Sequence, residues 1–74
     1  MKVYFITLVL NNDPHFLEYA EERCDYFDIF PDGTLAFFNQ NATLINYLRE
    51  DEWATLFDDW GNLLHMNDYW YSTR

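Results

Sequence analysis

Hydrophobic residues occupy nearly every position between Lys2 and Leu10, so this segment has no polar face. β-Branched and aromatic side chains dominate it, and these residue types favour strands. A strand that is apolar on both faces is typical of the centre of a sheet that is covered on both sides. The pattern therefore predicts a central strand over residues 2–10.

The next segment has the spacing of an amphipathic helix. Asp13 is a good N-cap residue, and Pro14 suits the first helical position, where its missing N–H is not needed. Apolar residues then recur at Phe16, Ala20 and Cys24, while two adjacent glutamates interrupt the alternation that a strand would show. We predict a helix from about Pro14 to Cys24.

A β-hairpin is the clearest local signal in the chain. Two apolar segments, Tyr26–Phe30 and Thr34–Phe38, flank the sequence Pro31-Asp32-Gly33. Proline favours the second position of a turn, and glycine accepts a positive φ. The pattern predicts two strands joined by a short loop.

Two apolar stripes with helical spacing follow Asn41, which we expect to cap a helix. The stripes consist of Leu44, Ile45 and Leu48, and of Trp53, Leu56, Phe57 and Trp60. On one continuous helix the two stripes would point about 120° apart. We therefore expect a break between Arg49 and Glu52, with two short helices, the second of which ends at Gly61.

The tail after Gly61 contains two segments that could form a last strand. Tyr69–Tyr71 has the better strand composition, and Leu63–Met66 is the alternative. The predicted order is then β-α-β-β-α-β, the ferredoxin-like arrangement. The expected fold is a single α+β domain over residues 1–74, in which two or three helices pack on a small single-layer antiparallel sheet.

Acidic residues strongly outnumber basic residues. The chain has 13 Asp and Glu against four Lys and Arg, which gives a formal net charge of −9. Two of the bases, Lys2 and Arg74, are at the chain ends, so Arg23 and Arg49 are the only bases between them. This charge disfavours nucleic acid and anionic membranes as direct partners. Acidity that serves solubility alone is the plain alternative.

Cysteine usage and the N-terminal segment indicate the compartment. Cys24 is the only cysteine, so no intramolecular disulfide can form. The apolar segment 2–10 is too short to span a bilayer and has no small-residue cleavage site after it. We expect a cytoplasmic protein, in the host cytoplasm if it is phage-encoded.

Residues that could carry chemistry are few and have no recognisable spacing. The soft and imidazole ligands Cys24, His15 and His65 form no close pair, and Asp25, Asp28 and Asp32 lack the spacing of a calcium loop. The two glycines cannot form a glycine-rich phosphate loop. We expect no metal, no cofactor and no catalytic residue.

The acidic clusters are the candidate site. On a helix, Glu18 and Glu22 would be neighbours about 5–6 Å apart, with no lysine to offset them. Tyrosines lie among the acids, and tyrosine is common in interface cores. The predicted partner-binding residues are Glu18, Glu21, Glu22, Asp25, Glu50, Asp51, Glu52, Asp58, Asp59, Tyr19 and Tyr47. The alternative is a solvated face without a specific role.

These features favour an acidic inhibitor that occupies the basic, nucleic-acid-binding surface of a partner protein or nuclease complex. In size and composition the chain resembles phage-encoded inhibitors of host defence, including DNA mimics and anti-CRISPR proteins. The resemblance is one of composition and transfers no functional residue. An immunity protein or antitoxin against a basic nuclease, and a structural or adaptor domain, are the alternatives; a small enzyme is the least favoured. The chain is expected to be a monomer or a homodimer.

Overall fold

A computed structural model describes residues 1–71. It contains seven β-strands and one short helix: β1 (Lys2–Leu10), β2 (Asp13–Cys24), β3 (Tyr26–Ile29), β4 (Leu35–Phe38), β5 (Leu44–Leu48), β6 (Trp53–Phe57), β7 (Leu63–Met66) and α1 (Asp68–Tyr71). None of the helices in residues 1–71 has the length and apolar character needed to cross a membrane.

The strands form two antiparallel sheets. The first, sheet A, has the order β2-β1-β6-β7, and the second, sheet B, has the order β3-β4-β5. β1 is central, as expected for a strand that is apolar on both faces, because β2 and β6 pair with it on either side. The predicted central strand is therefore confirmed.

The chain passes from sheet A to sheet B at Asp25. β2 pairs with β1 up to Cys24, and β3 pairs with β4 from Tyr26 onward. Between them, the Asp25 backbone N–H donates to the Phe38 carbonyl at 2.9 Å. A bend of this kind lets one long stretch of chain contribute to both sheets.

One hydrophobic core lies between the two sheets. Sheet A contributes Tyr4, Ile6, Cys24, Trp53 and Leu56, and sheet B contributes Leu35 and Phe37. The Tyr4 ring packs edge-on against Phe27, with the ring centroids 5.1 Å apart. The core therefore couples the two sheets.

Two buried polar groups tie the core to the turns around it. Trp53 is 1% exposed, and its indole N–H donates to the Gly33 carbonyl in the β3–β4 turn at 3.0 Å. Asn67 is buried, and its side-chain amide donates to the carbonyls of Glu50 at 2.7 Å and Trp53 at 2.6 Å. These bonds hold the β5–β6 turn and the start of α1 against sheet A.

The predicted α+β, ferredoxin-like fold is wrong. The segment predicted as the first helix is strand β2, which pairs with β1 from Cys24 back to Leu17. The cause is a two-residue hairpin loop, Asn11-Asn12, in which both residues have positive φ, at 53° and 55°. A loop of that kind matches the twist of two antiparallel strands. It therefore directs the chain back along β1, and Asp13 begins a strand instead of capping a helix.

The prediction of two short helices after Asn41 is also wrong. Asn41 lies in a turn in which the Asn39 side chain accepts the backbone N–H groups of Asn41 and Thr43, each at 3.0 Å. The two apolar stripes belong to β5 and β6, with a short turn at the predicted break, where the Glu52 N–H donates to the Arg49 carbonyl. β6 buries Trp53 and Leu56 in the shared core, whereas β5 pairs with β4 and only its Leu48 packs against that core. This pairing and packing override the local helical spacing.

The predicted hairpin is confirmed, and the tail was predicted only in part. β3 and β4 pair from Tyr26↔Phe38 to Ile29↔Leu35, and Gly33 in the turn has a φ of 89°. The alternative last strand, Leu63–Met66, is β7, whereas the preferred segment Tyr69–Tyr71 is wrong because it lies in α1. Residues 72–74 lie outside the described residues.

Replacement of Trp53 by Phe should lower the free energy of unfolding by about 2–4 kcal/mol, because it leaves a void and removes the N–H that the Gly33 carbonyl accepts. Urea denaturation measures this change. The matched control is Trp60→Phe at an exposed site, which should change stability by no more than about 0.5 kcal/mol. Equal effects of the two substitutions would contradict the role given to Trp53.

Candidate functional site

The acids of β2 lie on both faces of sheet A. Glu18 and Glu22 pair with Leu8 and Tyr4, so they share the face that continues into the core, whereas Tyr19 and Glu21 lie on the opposite face. On a strand, residues four apart are separated by about 13 Å instead of the helical 5–6 Å. The close glutamate pairs expected from a helix are therefore not formed.

The bend between the sheets holds Asp25 in place. Its carboxylate accepts the Gln40 backbone N–H at 2.7 Å and lies 3.6 Å from the N-terminal amine. Nearby, the Glu22 carboxylate accepts the side-chain amide of Asn46 at 2.8 Å. These two acids help to join β2 to sheet B, so they also have a structural role.

Both central arginines pair with predicted site residues. Arg23 lies 3.1 Å from Glu21, and Arg49 lies 3.7 Å from Asp51 and 3.6 Å from Glu52. The side chains are substantially exposed, and exposed pairs contribute little to stability. With Asp25 beside the N-terminal amine, four of the nine acids nevertheless lie close to a positive group.

Asp58 organises the turn between β6 and β7. Its carboxylate accepts the backbone N–H groups of Trp60 at 2.9 Å and Asn62 at 2.8 Å, and the Asn62 side-chain amide at 3.0 Å. The pKa of Asp58 is held below its ordinary value of 3.8 mainly by the hydrogen bond from the Asn62 side chain. The bonds from the Asn62 and Trp60 backbones lower it further. The neighbouring Asp59 is exposed.

The five predicted acids that follow β5 and β6 lie at two ends of sheet A. Asp58 and Asp59 follow β6 at the end of sheet A where β1 begins. The pKa of Tyr4, which lies at this end, is raised first by burial and then by electrostatic repulsion from Cys24, Asp59 and Asp58. Glu52 lies at the other end, where its carbonyl accepts the Val9 N–H, and Glu50 and Asp51 lie in the same turn. From Tyr4 to Val9 a strand rises roughly 17 Å. These five acids therefore form two separate groups.

Three exposed aromatic side chains lie on different elements of the fold. Trp60 is 86% exposed at the tip of the β6–β7 turn, Tyr19 is 79% exposed in the middle of β2, and Tyr47 is exposed on β5. The helical stripe placed Trp60 in the core, so sequence reasoning missed it as a surface residue. The sequence did contain a signal for a turn, since Asp, Gly and Asn are turn residues and all occur between Asp58 and Asn62. In the structure Gly61 has the positive φ, 81°, that such a turn requires.

A second aromatic group covers the outer face of sheet B. Tyr26 stacks on Phe38 with the ring centroids 5.2 Å apart, and Phe30 packs against the same ring. Altogether, sixteen large hydrophobic side chains in residues 1–71 are exposed. This number of exposed hydrophobic side chains is high for a small domain whose core contains few residues. Exposed apolar groups that are surrounded by polar residues mark interaction surfaces.

The described residues offer little to a small ligand or a metal ion. An open cleft of about 350 Å³ lies between the β3–β4 and β5–β6 turns and is lined by Asp32, Thr34, Arg49, Glu50, Asp51 and Tyr69. Within residues 1–71 no three His, Cys, Asp or Glu side chains are placed to hold a metal ion. Cys24 is buried, and that burial raises the pKa of its thiol, which opposes nucleophilic reactivity.

The chain matches no protein-family model, and neither a curated protein nor a solved structure matches it. Its function is therefore inferred from its own side chains alone.

The turn that presents Trp60 should lose its order at acidic pH. Because the pKa of Asp58 is lowered in the folded state, its stabilising effect is complete above the ordinary value of 3.8 and disappears as the pH falls through the lowered pKa. The backbone amide signals of Trp60 and Asn62 should shift together in that range in an NMR titration. In the Asp58→Ala variant these amides should no longer titrate; an unchanged titration would contradict the role of Asp58.

Proposed function

We propose that this chain is a non-enzymatic binding protein that attaches to a basic, nucleic-acid-binding surface of another protein and thereby inhibits it. The observation that carries the proposal is the position of Trp60, which is 86% exposed on a turn held by Asp58 and lies next to a second acid, Asp59. A hydrophobic ring presented on an ordered turn loses little conformational entropy when a partner buries it.

Tryptophan is also the residue type that most often dominates the energy of a protein interface. Burial of its ring would supply an attraction that salt does not screen, since the hydrophobic effect is not electrostatic. Tyr19 and Tyr47 are exposed amphipathic rings that suit the same purpose. These exposed aromatic rings support the proposal that the surface of this chain binds another protein.

The charge of the chain supports a basic protein as the partner. With a net charge of −9, the chain repels nucleic acid and anionic membranes and attracts a positively charged groove over a distance. The acidic groups at the two ends of sheet A, with apolar and aromatic side chains between them, would contact separate positive regions of such a groove. The proposed contact is therefore an acidic rim around aromatic anchors, in place of a continuous row of phosphate-like charges.

Inhibition follows from occupancy. A partner that uses its basic groove to hold DNA or RNA cannot do so while this chain is bound there, because both ligands need the same positive side chains. A phage-encoded inhibitor of a host nuclease complex, such as an anti-CRISPR protein acting in the host cytoplasm, would work in this way. No cofactor or metal is needed for this role.

The proposal is tested by capture of partners from a bacterial lysate on the immobilised chain, at low and high salt. Captured partners should be basic nucleic-acid-binding proteins, and an excess of duplex DNA or of guide RNA should displace them. A partner that remains bound in the presence of both nucleic acids would contradict the proposed inhibition.

Replacement of Trp60 by Ala should weaken the affinity for the captured partner about 30-fold or more, as expected for an interface hot spot. Calorimetry or surface plasmon resonance measures the dissociation constant. The control is Trp53→Phe, which should lower stability but leave the affinity of the folded protein nearly unchanged. Unaltered affinity in the Trp60→Ala variant would remove the observation on which the proposal depends.

A further inference from the structure

Within residues 1–71, β2 is an edge strand whose outer side has no strand beside it. Sheet A ends at β2, which pairs there with β1 alone, and eight of its twelve residues are exposed. Within residues 1–71, the backbone bond from Asp25 to Phe38 is the one that continues on that side, at the far end of the strand. An open edge of this length is a template for pairing with another strand.

The hydrogen bonds show which backbone groups are free. Val9 donates its N–H toward β6, at the Glu52 carbonyl, and the backbone groups of successive residues point to alternate sides of a strand. The backbone N–H and C=O groups of Leu8 and Ile6 therefore point toward β2. Those of their partners, Glu18 and Ala20, point toward β1. It follows that the N–H and C=O groups of Leu17, Tyr19 and Glu21 face the open edge.

The side chains of β2 oppose pairing with a second copy of the chain. In an antiparallel pair centred on Ala20, Glu18 of each copy would lie opposite Glu22 of the other, because both side chains lie on the same face of β2. Like charges directly opposite each other are destabilising, and edge charges commonly protect sheets from self-association. The same charges attract a strand that carries lysine or arginine.

Glu18 and Tyr19 are the side chains best placed to contact such a strand. Glu18 is exposed and makes no hydrogen bond or ion pair with any residue of 1–71, whereas Glu21 already contacts Arg23 and Glu22 contacts Asn46. On the opposite face, Leu17 and Tyr19 are exposed and apolar. The edge thus presents an unpaired negative charge on one face and an apolar contact on the other.

We propose that the open edge of β2, between Phe16 and Glu21, binds an extended basic segment of the partner protein as an additional strand of sheet A. The backbone groups of Leu17, Tyr19 and Glu21 form the ladder, basic side chains of the segment lie beside Glu18, and apolar ones lie beside Leu17 and Tyr19. This inference rests on the proposed function and specifies how the basic partner is held.

The test uses the full chain and a synthetic peptide, Thr-Lys-Val-Lys-Val-Lys-Thr, at millimolar concentration and low salt. Amide hydrogen exchange, followed by NMR, should show protection of the Leu17, Tyr19 and Glu21 amides by about tenfold, as expected when free amides become hydrogen-bonded. The control peptide, with glutamate in place of lysine, should give no protection. Equal protection by both peptides, or no protection by either, would overturn the inference.

A matched pair of variants separates the backbone from the side chain. Tyr19→Pro removes one outward-facing N–H at an edge position where proline is tolerated, and Tyr19→Thr removes the same ring but keeps the N–H. Tyr19→Pro should bind the lysine peptide about three- to tenfold more weakly than Tyr19→Thr, the effect of one lost hydrogen bond. Equal affinities of two folded variants would contradict strand addition.

If the lysine peptide binds but perturbs only residues near Trp60 or the Arg49–Glu52 turn, the edge inference is wrong and the proposed function still stands. If the peptide adds to β2 as expected but the captured partners ignore competing nucleic acid, the proposed function fails instead. The exchange measurement on the wild-type chain decides the inference even if Tyr19→Pro does not fold.

Discussion

The two small sheets of this chain share one hydrophobic core, and Trp53 lies where they meet. Its ring is buried with Ile6, Leu35, Phe37 and Leu56, and its indole N–H reaches the turn between β3 and β4. Asn67 binds the Trp53 carbonyl from the other side. Through these hydrogen bonds Trp53 is tied to the β3–β4 turn and to the residue that precedes α1.

The small core explains the character of the surface. A chain of 74 residues has little interior, and the ten hydrophobic residues that are buried include only a few of its aromatic rings. The other large side chains remain outside, on the outer faces of both sheets, along the β2 edge and at the β6–β7 turn. The negative charge of such a surface opposes self-association, and under the proposed function it would also favour positively charged partners.

Local composition was sufficient to predict β1 and the β3–β4 hairpin, because a fully apolar strand and a Pro-Asp-Gly turn each have one favoured structure. It was not sufficient for β2, β5 and β6, whose apolar residues fit a helical spacing as well as a strand. The decisive interactions there are between distant residues, such as Ile6 with Leu56, and the one local clue was the Asn11-Asn12 loop. For the candidate site, composition identified the acidic residues and Tyr19, but their grouping into two ends and the exposure of Trp60 follow from the strand arrangement.

The central claim is that negative charge guides this chain to a basic protein surface and that exposed aromatic rings then hold it there. The most direct test is the association rate constant with a captured partner, measured by stopped-flow over a range of ionic strength. The account predicts a steep fall of the association rate with added salt, while the dissociation rate changes much less. An association rate that does not depend on salt would contradict it.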